Sequence, residues 1–236
     1  MKSAVVLSLI IAVSFLLPAL PVCAQSWQAG ASVEEAAVLA RGVERCFTAE
    51  ELPDSIWHAM QGKSYVPNPH IQRRDLRYLT VLHTDSEGVI HVGELVCHRR
   101  IATLLLDIFR QLYDARYPIG RMRLPEVYDA DDERQMRANN TSCFCYRPVA
   151  GSRKLSKHAM GLAVDVNPLY NPYVKSLANG KRRIQPANAE KYCNRKGTFP
   201  YKIVRGDACH RLFTQNGFLW GGAWRSLKDY QHFELP

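Results

Sequence analysis

Residues 156–168 read Ser156-Lys157-His158-Ala159-Met160-Gly161-Leu162-Ala163-Val164-Asp165-Val166-Asn167-Pro168. The run from Gly161 to Val166 has the composition of a short buried strand. Asp165 sits inside it, between two valines, and a carboxylate placed there needs a partner or a metal. His158 lies seven residues earlier. Seven is odd, so on one straight strand the two side chains would face opposite ways. They converge only if His158 occupies the turn before the strand, a bend that Gly161 eases. Further on, Gly217-Phe218-Leu219-Trp220-Gly221-Gly222-Ala223-Trp224 precedes Asp229-Tyr230-Gln231-His232-Phe233-Glu234. His232 is a second imidazole in an aromatic setting. His158, Asp165 and His232 together form a three-ligand zinc set, Zn2+ then keeping a fourth position for water as catalytic sites do. Zinc lowers the pKa of such a water towards ~7. Asp229, three residues before His232, is placed to take its proton. Arg147 supplies a fixed positive group for a carbonyl oxygen or carboxylate. Each residue alone also has a structural reading. Asp165 can cap a turn, Trp220 and Trp224 can be core, and Arg147 can pair with any acid. The other six histidines are assigned to surface or core.

Around this region the pattern is mixed. Ser32-Val33-Glu34-Glu35 is a capping box that predicts a helix to about Arg45, and Pro53 to Met60 predicts a second. Leu76–His83 and Val89–Val96 are rich in β-formers, with a hairpin loop at Thr84–Gly88. Ile101, Leu104, Leu105, Ile108 and Leu112 fall at helical spacing. Residues 129–140 read as loop with one helical turn, and Thr141–Arg147 as a strand. Residues 167–206 show no sustained period and read as a long loop. Asp207 predicts a capped helix over 208–216, stopped by Gly217. The fold class expected is α+β in a single domain.

The chain has 236 residues, 31 Lys+Arg, 22 Asp+Glu and a formal charge of +9. With 47% hydrophobic residues, a disordered or collagen-like chain is excluded. Lys2, the apolar run Ala4 to Ala19 and Val22-Cys23-Ala24 describe a signal peptide over 1–24, cleaved after Ala24. Pro18 and Pro21 interrupt the run, which weighs against a membrane anchor, and Leu20-Pro21-Val22 is a poor lead-in to a lipidated Cys23. The chain is therefore expected to be exported, periplasmic or extracellular, without stable membrane insertion. Cleavage would remove Lys2 and Cys23, leaving +8 and six cysteines. An even number in an exported chain predicts disulfides, with Cys193–Cys209 the favoured pair. A structural zinc site on Cys143, Cys145 and a histidine is the rival reading.

The joint pattern Ser156-x-His158-x-x-Gly161-x-Ala163-x-Asp165 with Asp229-x-x-His232-Phe233-Glu234 resembles the zinc D-alanyl-D-alanine carboxypeptidases. That family includes vancomycin-resistance DD-peptidases and phage L-alanyl-D-glutamate endolysins. The resemblance spans roughly residues 75–236, leaving 25–74 as an N-terminal helical extension. It implies the small α+β fold shared with the hedgehog signalling domain, an antiparallel sheet with packed helices. It also implies His158, Asp165 and His232 as zinc ligands, Asp229 as general base, Arg147 as the carbonyl-steadying arginine, and Ser156 in the substrate pocket. Trp220 and Trp224 are assigned to substrate binding. The vancomycin-resistance enzymes carry Glu where this chain has Asp229, one methylene longer.

The function expected is hydrolysis of peptidoglycan stem peptides, by a D-alanyl-D-alanine carboxypeptidase or by an L-alanyl-D-glutamate-type endopeptidase. A non-catalytic cell-wall binding protein is the second class. A nucleic-acid binder, built on the basic segment 175–211, is the third; it is disfavoured because no dedicated recognition motif is present.

Overall fold

The computed structural model describes residues 27–148 and 154–236. The expected signal peptide, 1–24, lies outside the described residues. The fold is α+β, as expected.

The N-terminal half is built on an antiparallel sheet. Its strands are β1 (Ser32–Val33), β2 (Thr48–Glu51), β3 (Leu76–Thr84) and β4 (Ile90–His98), in the order β1-β4-β3-β2. The β3–β4 hairpin pairs nine residues on each strand, from Leu76↔His98 to Thr84↔Ile90. Asp85 closes its turn by accepting from the Glu87 and Val89 amides at 2.9 and 3.0 Å, an Asx turn. The expected capping box does not form. Ser32 and Val33 are drawn into the sheet opposite His91 and Ile90, so the hydroxyl has no helix to cap. Helix α1 (Glu35–Arg41) starts after Glu34 and stops at Gly42, whose φ is 85°. Helix α2 (Asp54–Met60) follows Pro53 as predicted. Strands β1 and β2 therefore place part of the expected helical extension at both edges of the sheet.

Helix α3 (Ala102–Asp114) presents Leu105, Ile108, Phe109 and Leu112 to one side of this sheet, where Leu79, Val81, Leu95 and Cys97 complete a buried cluster. After a short parallel pair, β5 (Arg121–Met122) with β6 (Asn140–Thr141), the strand expected over 141–147 stops: residues 143–147 belong to no strand, because the Phe144 and Cys145 amides donate to separate partners, the Val96 and His158 carbonyls. The side chains still alternate between two cores. Cys143 enters the main core and Phe144 a second one with Leu76, Val96 and Leu124. Residues 129–140 hold more order than expected, since helix α4 (Asp132–Arg137) is capped by Asp131, whose carboxylate accepts from the Arg134 amide at 2.8 Å.

The C-terminal half contains two three-stranded sheets. One has the order β10 (Leu219–Trp220), β12 (His232–Glu234), β7 (Ala163–Asp165). The other has the order β11 (Lys228–Asp229), β8 (Tyr173–Ser176), β9 (Arg182–Gln185). The second corrects the reading of 167–206 as loop. That segment holds the β8–β9 hairpin and a 3-10 segment, Ala187–Cys193. Tyr170, Tyr192, Phe199 and Tyr201 pack there ring against ring, and the Arg195 guanidinium lies over Phe199 and Tyr230. Helix α5 (Ala208–Gln215) is capped by Asp207 as predicted, the His210 amide donating to it at 2.7 Å. Its Phe213 stacks on Phe233 at 4.4 Å.

The six cysteines from Cys46 to Cys209 are free thiols, so the expected Cys193–Cys209 bridge is absent. Cys209 is fully buried in the main core, while Cys193 is half-exposed at the end of its 3-10 segment, its thiol directed at the Ala189 carbonyl. Burial raises the Cys97, Cys143 and Cys209 thiols, consistent with packing roles.

Candidate metal centre

The convergence of His158 and Asp165 depends on the turn between them. His158–Met160 form a 3-10 turn, closed by the Ala159 amide donating to the Ser156 hydroxyl at 3.3 Å. Gly161 then takes φ 63°, and a Cβ there would lie 2.6 Å from the His98 backbone nitrogen. Only glycine meets both conditions. Gly161→Ala is expected to destabilise the protein by at least ~2 kcal/mol, read as a lowered midpoint in urea unfolding. An unchanged midpoint would mean the turn has slack.

Asp165 ends β7, and His232 stands directly opposite it on β12. Directly opposed residues share a face, so register alone brings these two together. The third member arrives from the turn. His158 Nε2 lies 3.2 Å from Asp165 Oδ2 and 3.2 Å from His232 Nδ1, and His232 Nδ1 lies 3.0 Å from Asp165 Oδ1. All three residues are buried. The outward nitrogens are both occupied. His158 Nδ1–H donates to the Cys143 carbonyl at 2.7 Å, and His232 Nε2–H donates to Glu234 at 3.1 Å. Those bonds fix the tautomers and turn both imidazole lone pairs inward, the outer-shell arrangement of metal-binding histidines.

Two lone pairs and a carboxylate then face one another with no donor between them, an arrangement that calls for a cation. The electrostatics agree. Burial works to raise the Asp165 carboxyl, yet His158 and His232 hold it well below the usual carboxylate range. Burial works to lower His232, but its bonds to Asp165 and Glu234 push it up to about 10. Without a metal, a proton must supply the positive charge.

Asp229 lies on β11 beside this group. Its Oδ1 is buried without a hydrogen-bond partner. Burial raises its carboxyl to about 6, with Asp165 adding to the rise and His232 opposing it. A carboxylate held near neutrality suits proton transfer. The approach is close because residue 221 is glycine: a Cβ there would lie 2.7 Å from the Asp229 carbonyl oxygen and 2.9 Å from its Cβ.

Arg147 is anchored rather than free. It pairs with Asp132 Oδ2 at 2.5 Å, and its Nε is buried without a partner. Burial opposes its charge, but Asp132 and Asp165 keep it fully protonated. Ser156 is buried and caps the His158 turn, which makes it a positioning group. Trp224 is half-buried with its ring centroid 5.3 Å from that of His232. Trp220 is a correction: it is buried in the main core, donates Nε1–H to the Tyr230 carbonyl at 2.9 Å and stacks on Phe233.

Two contributors were missed. Glu234 follows His232 by two residues and so lies on the same strand face, a spacing visible in the sequence. Asp132 is 15 residues from Arg147 and opens α4, and nothing local announces the pair. The rival site on Cys143 and Cys145 is not found, since among the described residues the group able to hold a metal is His158, Asp165 and His232. A cleft of about 530 Å³ lined by His83, Arg121, Tyr128 and Asn139 lies apart from these residues.

A search of curated proteins and a search of solved structures each gave no match. A family model described as D-alanyl-D-alanine carboxypeptidase matches residues 150–235. The matched segment contains His158, Asp165, Asp229 and His232 and stops short of Arg147. Over residues 150–235 the chain is thus similar to the D-alanyl-D-alanine carboxypeptidases, a peptidase family, and the resemblance read from its sequence is borne out.

Proposed function

We propose that the protein is an exported zinc peptidase hydrolysing peptidoglycan stem peptides, as a D-alanyl-D-alanine carboxypeptidase. The observation that carries this is the inward-facing His158–Asp165–His232 group inside the segment matching that family. Two neutral imidazoles and one carboxylate suit zinc, which leaves a coordination position free. Bound zinc would supply Lewis acidity, polarising the scissile carbonyl and acidifying a water.

The chain's own groups supply the rest. Asp229 accepts the proton of the attacking water and returns it to the leaving amine. Arg147, held by Asp132, directs its guanidinium at the developing negative charge on the carbonyl oxygen. Trp224 forms an apolar wall beside His232. Glu234 holds the His232 tautomer, so Glu234→Gln is expected to weaken zinc binding roughly 10- to 100-fold, measured by competition with a chromophoric chelator. Unaltered affinity would remove Glu234 from the metal's support.

The deciding experiment combines metal analysis of purified residues 25–236 with mass analysis of digested muropeptides. One equivalent of zinc and loss of a single D-alanine from pentapeptides are expected. Cleavage between L-alanine and D-glutamate would assign the endopeptidase reading instead. Absence of both zinc uptake and any product would leave a non-catalytic wall-binding protein.

A further inference from the structure

The sheet β11-β8-β9 joins the candidate base to a group of cations. Asp229 stands opposite Tyr173, Tyr173 opposite Gln185, and Lys175 opposite Arg183. Opposed residues and their i+2 neighbours share a face. Asp229, Tyr173, Lys175 and Arg183 therefore line one side of this sheet. The Tyr173 hydroxyl feels both ends of the row: burial and the Asp229 charge raise it while Arg183 lowers it.

Lys175 and Arg183 are exposed, and no carboxylate forms an ion pair with either among the described residues. On the other face, Arg182 does have one, Glu190 at 3.5 Å. Like charges directly opposite one another destabilise a strand pair, so this pair is held at a cost that an anion between the two side chains would relieve. Lys175 lies two positions along β8 from Tyr173, about 7 Å, the span of two extended substrate residues.

Building on the peptidase reading, we infer that Lys175 and Arg183 form a specificity subsite that binds a free carboxylate carried about two residues from the scissile bond. The preferred substrate is then an acidic peptide rather than its carboxamide counterpart.

The test compares two peptides with the same scissile bond, one bearing that carboxylate and one the carboxamide. For the unaltered zinc-loaded protein, kcat/KM should favour the acid by about 10-fold or more, as charge-assisted hydrogen bonds allow. In the Lys175→Gln/Arg183→Gln protein the ratio should fall close to one, mainly through KM. Arg182→Gln, on the opposite face, should keep the original ratio. Calorimetric titration of both peptides into the Asp229→Asn protein, with and without the double substitution, gives a readout independent of turnover. If both peptides are cut and the double substitution leaves the ratio unchanged, the subsite is overturned and the peptidase reading stands. If neither is cut but the acid binds more tightly through Lys175 and Arg183, the peptidase reading falls and the subsite stands. Reduced retention on heparin with an unaltered peptide preference would assign the face to a polyanion and overturn the proposal.

Discussion

Asp165→Ala is expected to yield a folded protein that holds no stoichiometric zinc and has lost peptide hydrolysis by three orders of magnitude or more. Asp165 is the one anionic member of the group, with its two oxygens 3.0 and 3.2 Å from the two inward nitrogens. Without it, two buried imidazoles face each other with neither charge balance nor a third ligand. On the proposed mechanism, the Lewis acidity of a bound zinc would contribute several kcal/mol to the transition state, and each ~1.4 kcal/mol lost is tenfold in rate. The backbone of β7 remains paired with β12 and with Ser142, so the far-ultraviolet dichroism should be preserved. Metal content and hydrolysis measured on one preparation check this. Full turnover in a metal-free Asp165→Ala protein would sink the proposed mechanism.

Asp229→Asn is expected to separate the two roles. The side chain keeps its size and stays under the cover of Gly221, while the group that accepts the proton is gone. Zinc content should match the unaltered protein, and kcat should fall roughly 10²- to 10⁴-fold, the usual contribution of a positioned general base. KM should change little, because the proton moves only as the bond is made. A kcat near that of the unaltered protein would mean that another group takes the proton.

The parts of this molecule legible in the sequence are those whose cause is local. Helix α3 follows from the spacing of Ile101, Leu105, Ile108 and Leu112, and α5 from Asp207 and Gly217. The bend at Gly161 followed from a parity argument between His158 and Asp165, and the structure places His158 in the turn before β7. What escaped is long-range. Ser32 has the chemistry of a cap but is taken by an edge of the β3–β4 hairpin. The β8–β9 hairpin has weak local strand signals because β8 is completed by β11, more than fifty residues downstream. Trp220 and Trp224 look alike in sequence; only tertiary packing sends one into the core and leaves the other beside His232. The cysteine count pointed to bridges, but Cys209 is enclosed by the main core, away from Cys193's half-exposed segment.

The register of β12 against β7 sets His232 opposite Asp165 and Phe233 opposite Val164. Phe233 is fully buried against Phe213. A slip of one residue would turn Phe233 out of the core and His232 into it, at the expense of several kcal/mol of apolar burial. Coordination geometry here is enforced from behind, by packing that owes nothing to the cation. On the proposed reading the ligands stand ready before any metal arrives, so stripping zinc with a chelator and restoring it is expected to leave the strands folded.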